Sequence, residues 1–359
     1  MNIYINGRFL TQQVTGVQRY ALEVVKALDN LLKNAAIDKD FYKFIILTPG
    51  PIKNELELEH VLIETKGKTN GHIWEQFELP FFTSDGLLLN LCNVGPAFKR
   101  NQASVIHDAA VFANANNYSF LFKMWYRFIL RAQGIFAKKI ITVSEFSLKQ
   151  LVKFLKIKED KIQVIYEGKE HFTKIPSDNN FIYQKELHVR PYILAVSSLN
   201  PNKNFSAIVK ATKYIDIDDV DIVIAGGKSS KVFKDSGITL PDNVKHLGYV
   251  SDEQLKALYE NAFCFVYPSL YEGFGLPPLE AMSVGCPVII SSRASLPEVG
   301  GEAALYCNPT HPEDIAKQIE ELFKNNKFRS ELINKSEAQA SKFTWRSTAE
   351  QLFHTITKI

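Results

Sequence analysis

Two series of short apolar segments, each alternating with segments of helical pattern, constrain this chain more than any other feature. The first series opens with Ile3 and Ile5 and continues with Lys43 to Leu47, Val61 to Glu64, Leu87 to Leu91, Ser104 to Ile106, Ile140 to Val143 and Ile162 to Ile165. The second series consists of Tyr192 to Val196, Asp221 to Ala225, Val244 to Leu247, Cys264 to Tyr267 and Val288 to Ile290. Short apolar strands that alternate with helices predict parallel sheets with helices on both faces. The chain is therefore predicted to be an α/β protein with two Rossmann-like, doubly wound parallel sheets.

The length of 359 residues suits two domains, each large enough to bury a core of its own. Polar and charged residues without clear periodicity dominate from Gly168 to Arg190, which is typical of a linker between domains. We therefore predict an N-terminal domain over residues 1–175 and a C-terminal domain over residues 176–344.

Charge and local motifs exclude several classes of protein. The net charge is +6 over residues 1–175 and −3 over residues 176–359, so a uniformly basic nucleic-acid binder is not indicated. The turn after the first strand lacks the G-x-G-x-x-G pattern of a dinucleotide-binding oxidoreductase. We therefore expect no nucleic-acid partner and no nicotinamide cofactor.

Cysteine usage and hydropathy indicate the compartment. The chain has no C-x-x-C spacing, so its cysteines predict neither a disulfide framework nor a zinc site and suit a reducing cytoplasm. These cysteines are Cys92, Cys264, Cys286 and Cys307. The first residues lack the features of a signal peptide, and no apolar run approaches the ~20 residues of a membrane span. We expect a cytoplasmic protein whose contact with a membrane is peripheral.

The stretch from Ser269 to Met282 joins a predicted strand to a predicted helix through a glycine loop. Gly273 and Gly275 allow positive φ angles and a close approach of a ligand to the backbone. The helix that starts at Pro277 directs its positive dipole end and its free N–H groups at the same place. A diphosphate is the ligand that such a loop suits.

Two carboxylates, Glu272 and Glu280, lie eight residues apart in this stretch. A carboxylate does not attract a diphosphate, so both are interpreted as acceptors for the hydroxyl groups of a sugar or a ribose. Without other information, a loop cap at Glu272 and a solvated helix residue at Glu280 explain the same spacing.

The surrounding sequence resembles a known family. Residues 272–282 (Glu-Gly-Phe-Gly-Leu-Pro-Pro-Leu-Glu-Ala-Met), 285–289 (Gly-Cys-Pro-Val-Ile) and 296–301 (Leu-Pro-Glu-Val-Gly-Gly) resemble the donor site of family 4 retaining glycosyltransferases of the GT-B fold. Residues 15–20 (Thr-Gly-Val-Gln-Arg-Tyr) and 71–76 (Gly-His-Ile-Trp-Glu-Gln) look like the bacterial polysaccharide and O-antigen branch, in particular its mannosyltransferases. The resemblance implies two domains facing a cleft, the N-terminal one on the acceptor side and the C-terminal one binding the nucleotide-sugar donor. It also implies a last helix over residues 345–359 packed back on the N-terminal domain.

The resemblance also implies roles for individual residues. Lys203 matches a lysine that clamps the diphosphate of the nucleotide, whereas the arginine that usually accompanies it is absent from the run 197–205, which includes Ser198. Backbone amides or another cation, with Arg19 as the candidate, would complete the clamp. Further donor-binding residues are expected at Gly16, Ser198, Gly226, Gly273, Phe274, Gly275, Leu276 and Glu280.

His107 and Asp108 directly follow a predicted strand, where ligands bind on parallel sheets. A strand-end His-Asp pair is often only a loop hydrogen bond. Related glycosyltransferases place a histidine at the matching strand end, facing the donor sugar, so the resemblance makes both residues candidates for catalysis together with Lys203 and Glu272.

The resemblance implies a retaining glycosyltransferase that moves a hexose, with mannose from GDP-mannose as the first choice, to a glycan or lipid-linked acceptor. Retention through a covalent intermediate and retention by same-face attack both stay open. No Asp-x-Asp motif follows a strand, so no essential metal ion and no cofactor are expected. The alternatives are a nucleotide-sugar 2-epimerase of similar architecture and a scaffold subunit that keeps the fold without turnover.

One segment suggests where a lipid-linked acceptor is met. Residues 109–144 contain five cations and no acidic residue, and Lys123, Arg127 and Arg131 recur at a spacing of four beside apolar side chains. A helix with this pattern can lie on an anionic membrane or can simply cover the domain's sheet. We predict peripheral contact with an anionic membrane through residues 118–140.

Overall fold

The computed structural model describes residues 1–114, 118–196, 200–217, 219–227 and 243–359. It divides into two compact units, one formed by Met1–Gly168 with Thr344–Ile359 and the other by Lys169–Phe343. The chain thus leaves the first unit at Gly168, seven residues before the end of the predicted N-terminal domain. The last segment of the chain, Thr344–Ile359, returns to the first unit. This is the segment for which the family resemblance implied a helix packed on the N-terminal domain.

Among its described residues, the first unit contains a sheet of seven parallel strands. Its strands are β1 (Asn2–Asn6), β2 (Lys43–Thr48), β3 (Leu62–Thr65), β4 (Leu87–Asn90), β5 (Gln102–Val105), β6 (Lys139–Thr142) and β7 (Ile162–Val164). Their order is β3-β2-β1-β4-β5-β6-β7, so the direction of strand addition reverses at β1. Ligands on sheets of this kind bind beyond the carboxyl ends of the strands at the point of reversal.

Helices connect these strands. They are α1 (Gly16–Lys33), α2 (Gly71–Ile73), α3 (Leu79–Phe82), α4 (Ala110–Ala113), α5 (Phe120–Phe136) and α6 (Glu145–Leu155), with a π-helical turn, Trp74–Glu78, between α2 and α3. Helix α1 begins in a capping box, in which Thr15 caps a backbone N–H and Gln18 caps the N–H of Thr15 in return. Most of its apolar residues are buried, Val24 and Leu28 completely.

In the part of the second unit that the structure describes, six parallel strands form one sheet. They are β8 (Tyr192–Val196), β9 (Asp221–Ala225), β10 (Val244–Gly248), β11 (Cys264–Tyr267), β12 (Val288–Ser291) and β13 (Ala304–Cys307), arranged in the order β10-β9-β8-β11-β12-β13. The reversal here falls between β8 and β11, which pair directly through Cys264 with Ile193 and Phe265 with Leu194. All six strands run parallel, and their apolar residues form the core of this unit.

The helices of the second unit are α7 (Glu170–Thr173), α8 (Asn179–Gln184), α9 (Phe205–Ala211), α10 (Asp252–Asn261), α11 (Leu276–Ser283), α12 (Leu296–Gly300), α13 (Pro312–Lys324) and α14 (Asn326–Ala340). The predicted capping box of α10 is confirmed, because Ser251 and Gln254 bond each other's backbone N–H groups. The last helix, α15 (Trp345–Thr357), belongs to the first unit and packs against α1. The predicted α/β class with two parallel, doubly wound sheets is confirmed.

Cysteine chemistry is simple in this protein. All four cysteines are free thiols, and three of them are buried. Burial raises the pKa of the Cys264 thiol to about 12, so this side chain is a protonated core residue at neutral pH.

None of the described helices combines the length and the apolar character that crossing a bilayer requires.

Candidate functional site

The switch point of the second sheet brings two predicted site residues together. Lys203 ends a short 3₁₀ turn, Pro201–Lys203, in the loop that follows β8, and Glu272 lies in the loop that follows β11. Because β8 and β11 are neighbours, both loops leave the sheet at the same edge. The Lys203 ammonium lies 2.8 and 3.0 Å from the two carboxylate oxygens of Glu272.

Backbone contacts hold the two loops against each other. The carbonyl of Asn202 accepts hydrogen bonds from the N–H of Leu270 at 2.7 Å and from the hydroxyl of Ser269 at 2.8 Å. Asn204 has a positive φ of 55°, a conformation that asparagine tolerates better than most residues, and its side-chain amide donates to the carbonyl of Pro268 at 3.1 Å. The position of Lys203 relative to Glu272 is therefore set by the backbone as well as by their charges.

Tyr267 and Ser269 complete the cluster around this ion pair. The Lys203 ammonium donates to the Tyr267 phenol, and Ser269 donates to the Glu272 carboxylate. Burial, followed by the charge of Glu272, raises the pKa of the Tyr267 phenol well above its usual value. Tyr267 is thus a neutral hydroxyl at physiological pH, and Lys203 supplies the positive charge of the cluster. We refer to Lys203, Tyr267, Ser269 and Glu272 as the lysine cluster.

The glycine loop leads directly from the lysine cluster into α11. Gly275 has a φ of 126° and forms the N-cap of the helix, where a Cβ atom would lie 2.8 Å from a methyl group of Leu296. Pro277 and Pro278 carry no N–H, so the first turn of the helix offers the N–H of Leu276 to a ligand. This helix start therefore has fewer free donors than an ordinary one. The predicted loop residues Gly273, Phe274, Gly275 and Leu276 all lie here, between Glu272 and the helix.

Glu280 lies about one turn into α11 and has a partner that the sequence did not suggest. The Nε2 atom of His171, on α7, lies 3.0 Å from a carboxylate oxygen of Glu280, and both side chains are largely buried. His171 belongs to the stretch that was interpreted as a linker, where a single histidine gives no signal of a functional contact. The bond fixes the orientation of the carboxylate at a position where it can accept from hydroxyl groups.

Two further predicted residues belong to this unit. Gly226 directly follows β9 with a φ of 100°, its N–H bonds the carbonyl of Gly248 at 2.6 Å, and its carbonyl lies 2.9 Å from His246. These two contacts hold the backbone of Gly226 against the end of β10. Ser198 lies outside the described residues.

The remaining predicted residues belong to the first unit. Gly16 is the first residue of α1, and an added Cβ atom there would meet no atom within 4 Å. Arg19 lies in the first turn of the same helix and is half-buried. Asp108 accepts a hydrogen bond from the N–H of Ala110 at 2.8 Å, the loop bond that a strand-end His-Asp pair often forms.

His107 is held on several sides within the first unit. Its Nε2 atom lies 3.0 Å from the carbonyl of Leu91, and its Nδ1 atom lies 3.3 Å from the carboxylate of Glu167. The ring of Tyr20 packs edge-on at 4.7 Å. Both ring nitrogens of His107 therefore face protein acceptors in this structure. Its contact with a donor sugar stays a prediction, and Glu167 is a buried neighbour that sequence reasoning missed.

The charged groups do not form a metal-binding arrangement in the described part of the chain, where no three His, Cys, Asp or Glu side chains are grouped to hold an ion. What the lysine cluster can do chemically follows from its groups. A fixed ammonium and backbone N–H donors can stabilise a leaving diphosphate, while Glu272 and Glu280 can accept from hydroxyl groups.

Comparison with solved structures identifies the fold. Sucrose-phosphate synthase from Thermosynechococcus elongatus superposes with a TM-score of 0.73 over 99% of this chain and 98% of its own, at 18% identity. Two parallel-sheet α/β domains matching such enzymes define the GT-B fold, as the sequence resemblance implied.

Comparison with known sequences points to glycosyltransferases. Residues 178–339 match the family described as glycosyl transferases group 1, so the chain carries a group 1 glycosyltransferase domain. O-antigen chain mannosyltransferase B of Escherichia coli is 32% identical over 60% of the chain, and O-antigen chain mannosyltransferase RfbU of Salmonella typhimurium is 34% identical over 62%. The aligned parts span 59% and 62% of these relatives' own lengths. The resemblance to GT-B glycosyltransferases of the O-antigen branch is confirmed.

Proposed function

We propose that this chain is a retaining glycosyltransferase that transfers mannose from GDP-mannose to a glycan or lipid-linked glycan acceptor in the assembly of O-antigen or a related surface polysaccharide. The observation that carries the proposal is the lysine cluster at the switch point of a group 1 glycosyltransferase domain. Mannose is chosen because the two relatives above are named as O-antigen mannosyltransferases.

The proposed chemistry assigns one task to each group. Departure of the nucleoside diphosphate leaves negative charge on the phosphate and positive charge on the sugar ring. Lys203 stabilises the leaving phosphate, together with the N–H of Leu276 at the start of α11. Glu272 holds the ammonium in place and accepts from hydroxyl groups of the donor sugar, and Glu280, held by His171, binds the ribose hydroxyls.

Donor binding and transfer test the proposal directly. GDP-mannose at about 100 times its Kd should add about 2.7 kcal/mol to the free energy of unfolding, which a thermal-shift experiment detects. UDP-glucose, UDP-N-acetylglucosamine and dTDP-rhamnose serve as the competing donors. Transfer of mannose to an O-antigen-type acceptor should follow, and NMR of the product should show the same anomeric configuration as in the donor.

The same assay in EDTA tests the predicted independence of divalent ions, and the rate should not change. Loss of transfer that Mn²⁺ or Mg²⁺ restores would contradict the assigned site. Epimerisation of UDP-N-acetylglucosamine without acceptor would replace the proposal by the 2-epimerase alternative. Binding of a nucleotide sugar without turnover of any acceptor would favour the scaffold alternative.

A membrane contact of the first unit forms part of the proposal. Helix α5 exposes Leu121, Met124, Trp125 and Phe128 on one face, and Ile73, Phe77 and Phe81 recur at a spacing of four on the neighbouring segment from α2 to α3. The rings of Phe98 and Phe128 lie 6.1 Å apart, and His72 packs edge-on to Trp125 at 5.8 Å, so the two groups adjoin. We name these seven apolar residues, together with Phe98, the aromatic surface.

The cations of α5 do not form the outward, membrane-facing stripe that their spacing suggested. Arg127 donates to the carbonyl of Val111 at 3.1 Å, and the guanidinium groups of Arg127 and Arg131 lie over the ring of Phe112. They thus border the aromatic surface instead of forming its outermost face. An apolar surface bordered by cations matches an anionic bilayer, whose interior accepts the rings and whose headgroups attract the charges.

Liposome flotation tests this contact with residues whose loss does not affect the core. Phe77, Phe81 and Leu121 are 77%, 76% and 77% exposed, so replacing all three with Ser should leave the fold intact. We expect the triple variant to lose most of its binding to anionic liposomes while turnover of a water-soluble acceptor persists. The control replaces three exposed apolar residues of the second unit, Tyr183, Val189 and Tyr214, with Ser.

A second triple variant measures the electrostatic part of this contact. Replacing Lys123, Arg127 and Arg131 with Ser should weaken the binding of the protein to anionic liposomes at low salt. Roughly 1 kcal/mol of binding free energy should be lost for each cation near the surface. Equal flotation of the wild type and both triple variants would show that α5 only covers the sheet.

A further inference from the structure

The loop between β12 and α12, residues 292–295, lies along the glycine loop of the candidate site. The hydroxyl of Ser295 donates to the carbonyl of Glu272 at 3.1 Å and to the carbonyl of Phe274 at 2.5 Å. The helix that follows continues this contact, because a Cβ atom added to Gly275 would lie 2.8 Å from a methyl group of Leu296. Since β11 and β12 pair directly, both loops leave the sheet at the same edge. We refer to residues 292–295 as the β12 loop.

Arg293 is the charged residue of the β12 loop, and it is exposed. Its backbone N–H donates to the hydroxyl of Ser291 at 3.2 Å, whereas none of the described residues bonds its guanidinium. Ala294, the next residue, has a φ of 58°, a left-handed conformation that costs an alanine free energy and that clusters at functional sites. Two residues of chain span at most about 7 Å, so the Arg293 Cα lies within that distance of the Ser295 Cα. The backbone therefore holds Arg293 beside the glycine loop, with its side-chain donors left for a ligand.

The candidate site has little positive charge for a nucleoside diphosphate. The Lys203 ammonium is paired with Glu272, and Glu280 adds a second carboxylate, so the carboxylates outnumber the ammonium. The proline-containing start of α11 adds few N–H donors. Among the described residues of the loops at this edge of the sheet, the side chains of lysine or arginine are Lys203 and Arg293. Arg293 is therefore the second cation that the described part of this edge supplies.

Two further cations compete with Arg293 for a contact with the diphosphate. Arg19 belongs to α1 of the first unit. Lys228 follows β9 in the sequence and lies outside the described residues. The strand β12 adjoins β11, which leads into the glycine loop, whereas β8 lies between β9 and β11. The described contacts therefore favour Arg293 over the other two cations.

We infer that Arg293 is a further donor-binding residue, whose guanidinium contacts the β-phosphate of the nucleotide and stabilises it as it leaves. The inference rests on the proposed mannosyl transfer. In that reaction the bond between C1 of the sugar and a β-phosphate oxygen breaks, and its electron pair stays on the oxygen. The acceptor hydroxyl forms the new bond to C1 and releases its proton to water, so the diphosphate departs with one negative charge more than it has in the donor. A guanidinium can meet this charge with two parallel N–H donors.

Calorimetric titration of the full chain with GDP and with GMP separates this role from that of a solvated surface arginine. We expect Arg293→Ala to bind GDP roughly tenfold to a hundredfold more weakly than the wild type, because a hydrogen bond between charged groups is lost. GMP lacks the β-phosphate, so its affinity should not change. The kcat of transfer from GDP-mannose should fall as well, since the contact strengthens as charge develops on the leaving phosphate.

Further variants keep the test decisive. Arg293→Lys retains the charge and should recover most of the GDP affinity, although it loses the two-pronged geometry of the guanidinium. Arg190→Ala is the matched control, because Arg190 is an exposed arginine just before β8, at the opposite edge of the same sheet, where it lies 3.3 Å from Asp219. It should bind GDP as the wild type does. Arg19→Ala and Lys228→Ala measure the two competing cations in the same titration.

The outcomes distinguish this inference from the proposed function. A loss of UDP affinity in Arg293→Ala, in a protein that ignores GDP, would keep Arg293 in its role and overturn GDP-mannose as the donor. Equal GDP binding by the wild type and Arg293→Ala would overturn the inference while leaving transfer untouched, and so would a loss confined to Arg19→Ala or Lys228→Ala. A parallel loss of GDP and GMP affinity together with a lower thermal midpoint would assign Arg293 a structural role instead.

Discussion

Replacing Lys203 with alanine should lower kcat by roughly 10²–10³-fold, because one well-placed group that stabilises the developing charge is worth about 2.7–4 kcal/mol. The physical reason lies in the lysine cluster. Lys203 supplies its positive charge, and the Tyr267 phenol, whose pKa is raised by burial, stays neutral and cannot replace it. Steady-state transfer with GDP-mannose measures the effect.

The variant also leaves Glu272 without its counter-ion, so folding has to be measured alongside activity. Circular dichroism and the thermal midpoint serve this purpose, and Lys210→Ala is the matched control, since Lys210 is an exposed lysine on the adjacent helix α9. Tyr267→Phe keeps the ion pair and removes only the hydroxyl, and we expect a much smaller loss of kcat. If folded Lys203→Ala stays within about threefold of the wild type, Lys203 has no part in stabilising the leaving group.

Local sequence patterns were sufficient to predict every strand except β13, and much of the candidate site's location. Apolar runs and glycines are short-range signals. They placed Lys203 and Glu272 after strands and a helix start at Pro277, one residue beyond the observed start at Leu276. The order of the strands is not a local property, and it is this order that brings β8 beside β11 and Lys203 onto Glu272. The sequence supplied that juxtaposition only through the resemblance to a family.

Two of the missed contacts share one physical cause, namely that their partners lie far apart in the chain. Tyr267 ends an apolar strand and looks like a core residue, yet its hydroxyl contacts Lys203, 64 positions away. His171 meets Glu280 across 109 positions. Glu75 follows no 3.6-residue period because it belongs to a π-helical turn, so its inward direction was not predictable.

The orientation of α5 was also beyond sequence reasoning. The spacing of Lys123, Arg127 and Arg131 correctly indicated one stripe on a helix, but a helical wheel does not say which stripe packs against the domain. In the structure Phe112 lies beneath Arg127 and Arg131, and the outward face is apolar. A membrane contact of this helix would therefore depend first on its rings and only second on its charges.

The two carboxylates should divide their effects between kcat and KM. Glu280→Ala should raise the donor KM by roughly tenfold to a hundredfold with little change in kcat, because ribose hydroxyls are bound alike in the ground state and the transition state. His171→Phe should follow in the same direction and more weakly, since it removes the partner that orients the Glu280 carboxylate but leaves the carboxylate itself.

Glu272→Ala should instead lower kcat by an order of magnitude or more with a smaller change in KM, because it releases Lys203 from the position in which the ammonium meets the leaving phosphate. Glu331→Ala removes an exposed glutamate from the same unit and controls for charge. Steady-state kinetics with varied GDP-mannose at saturating acceptor separates the two parameters. If Glu280→Ala lowers kcat while Glu272→Ala only raises KM, the two carboxylates have exchanged roles, and the sugar then lies nearer α11 than the lysine cluster.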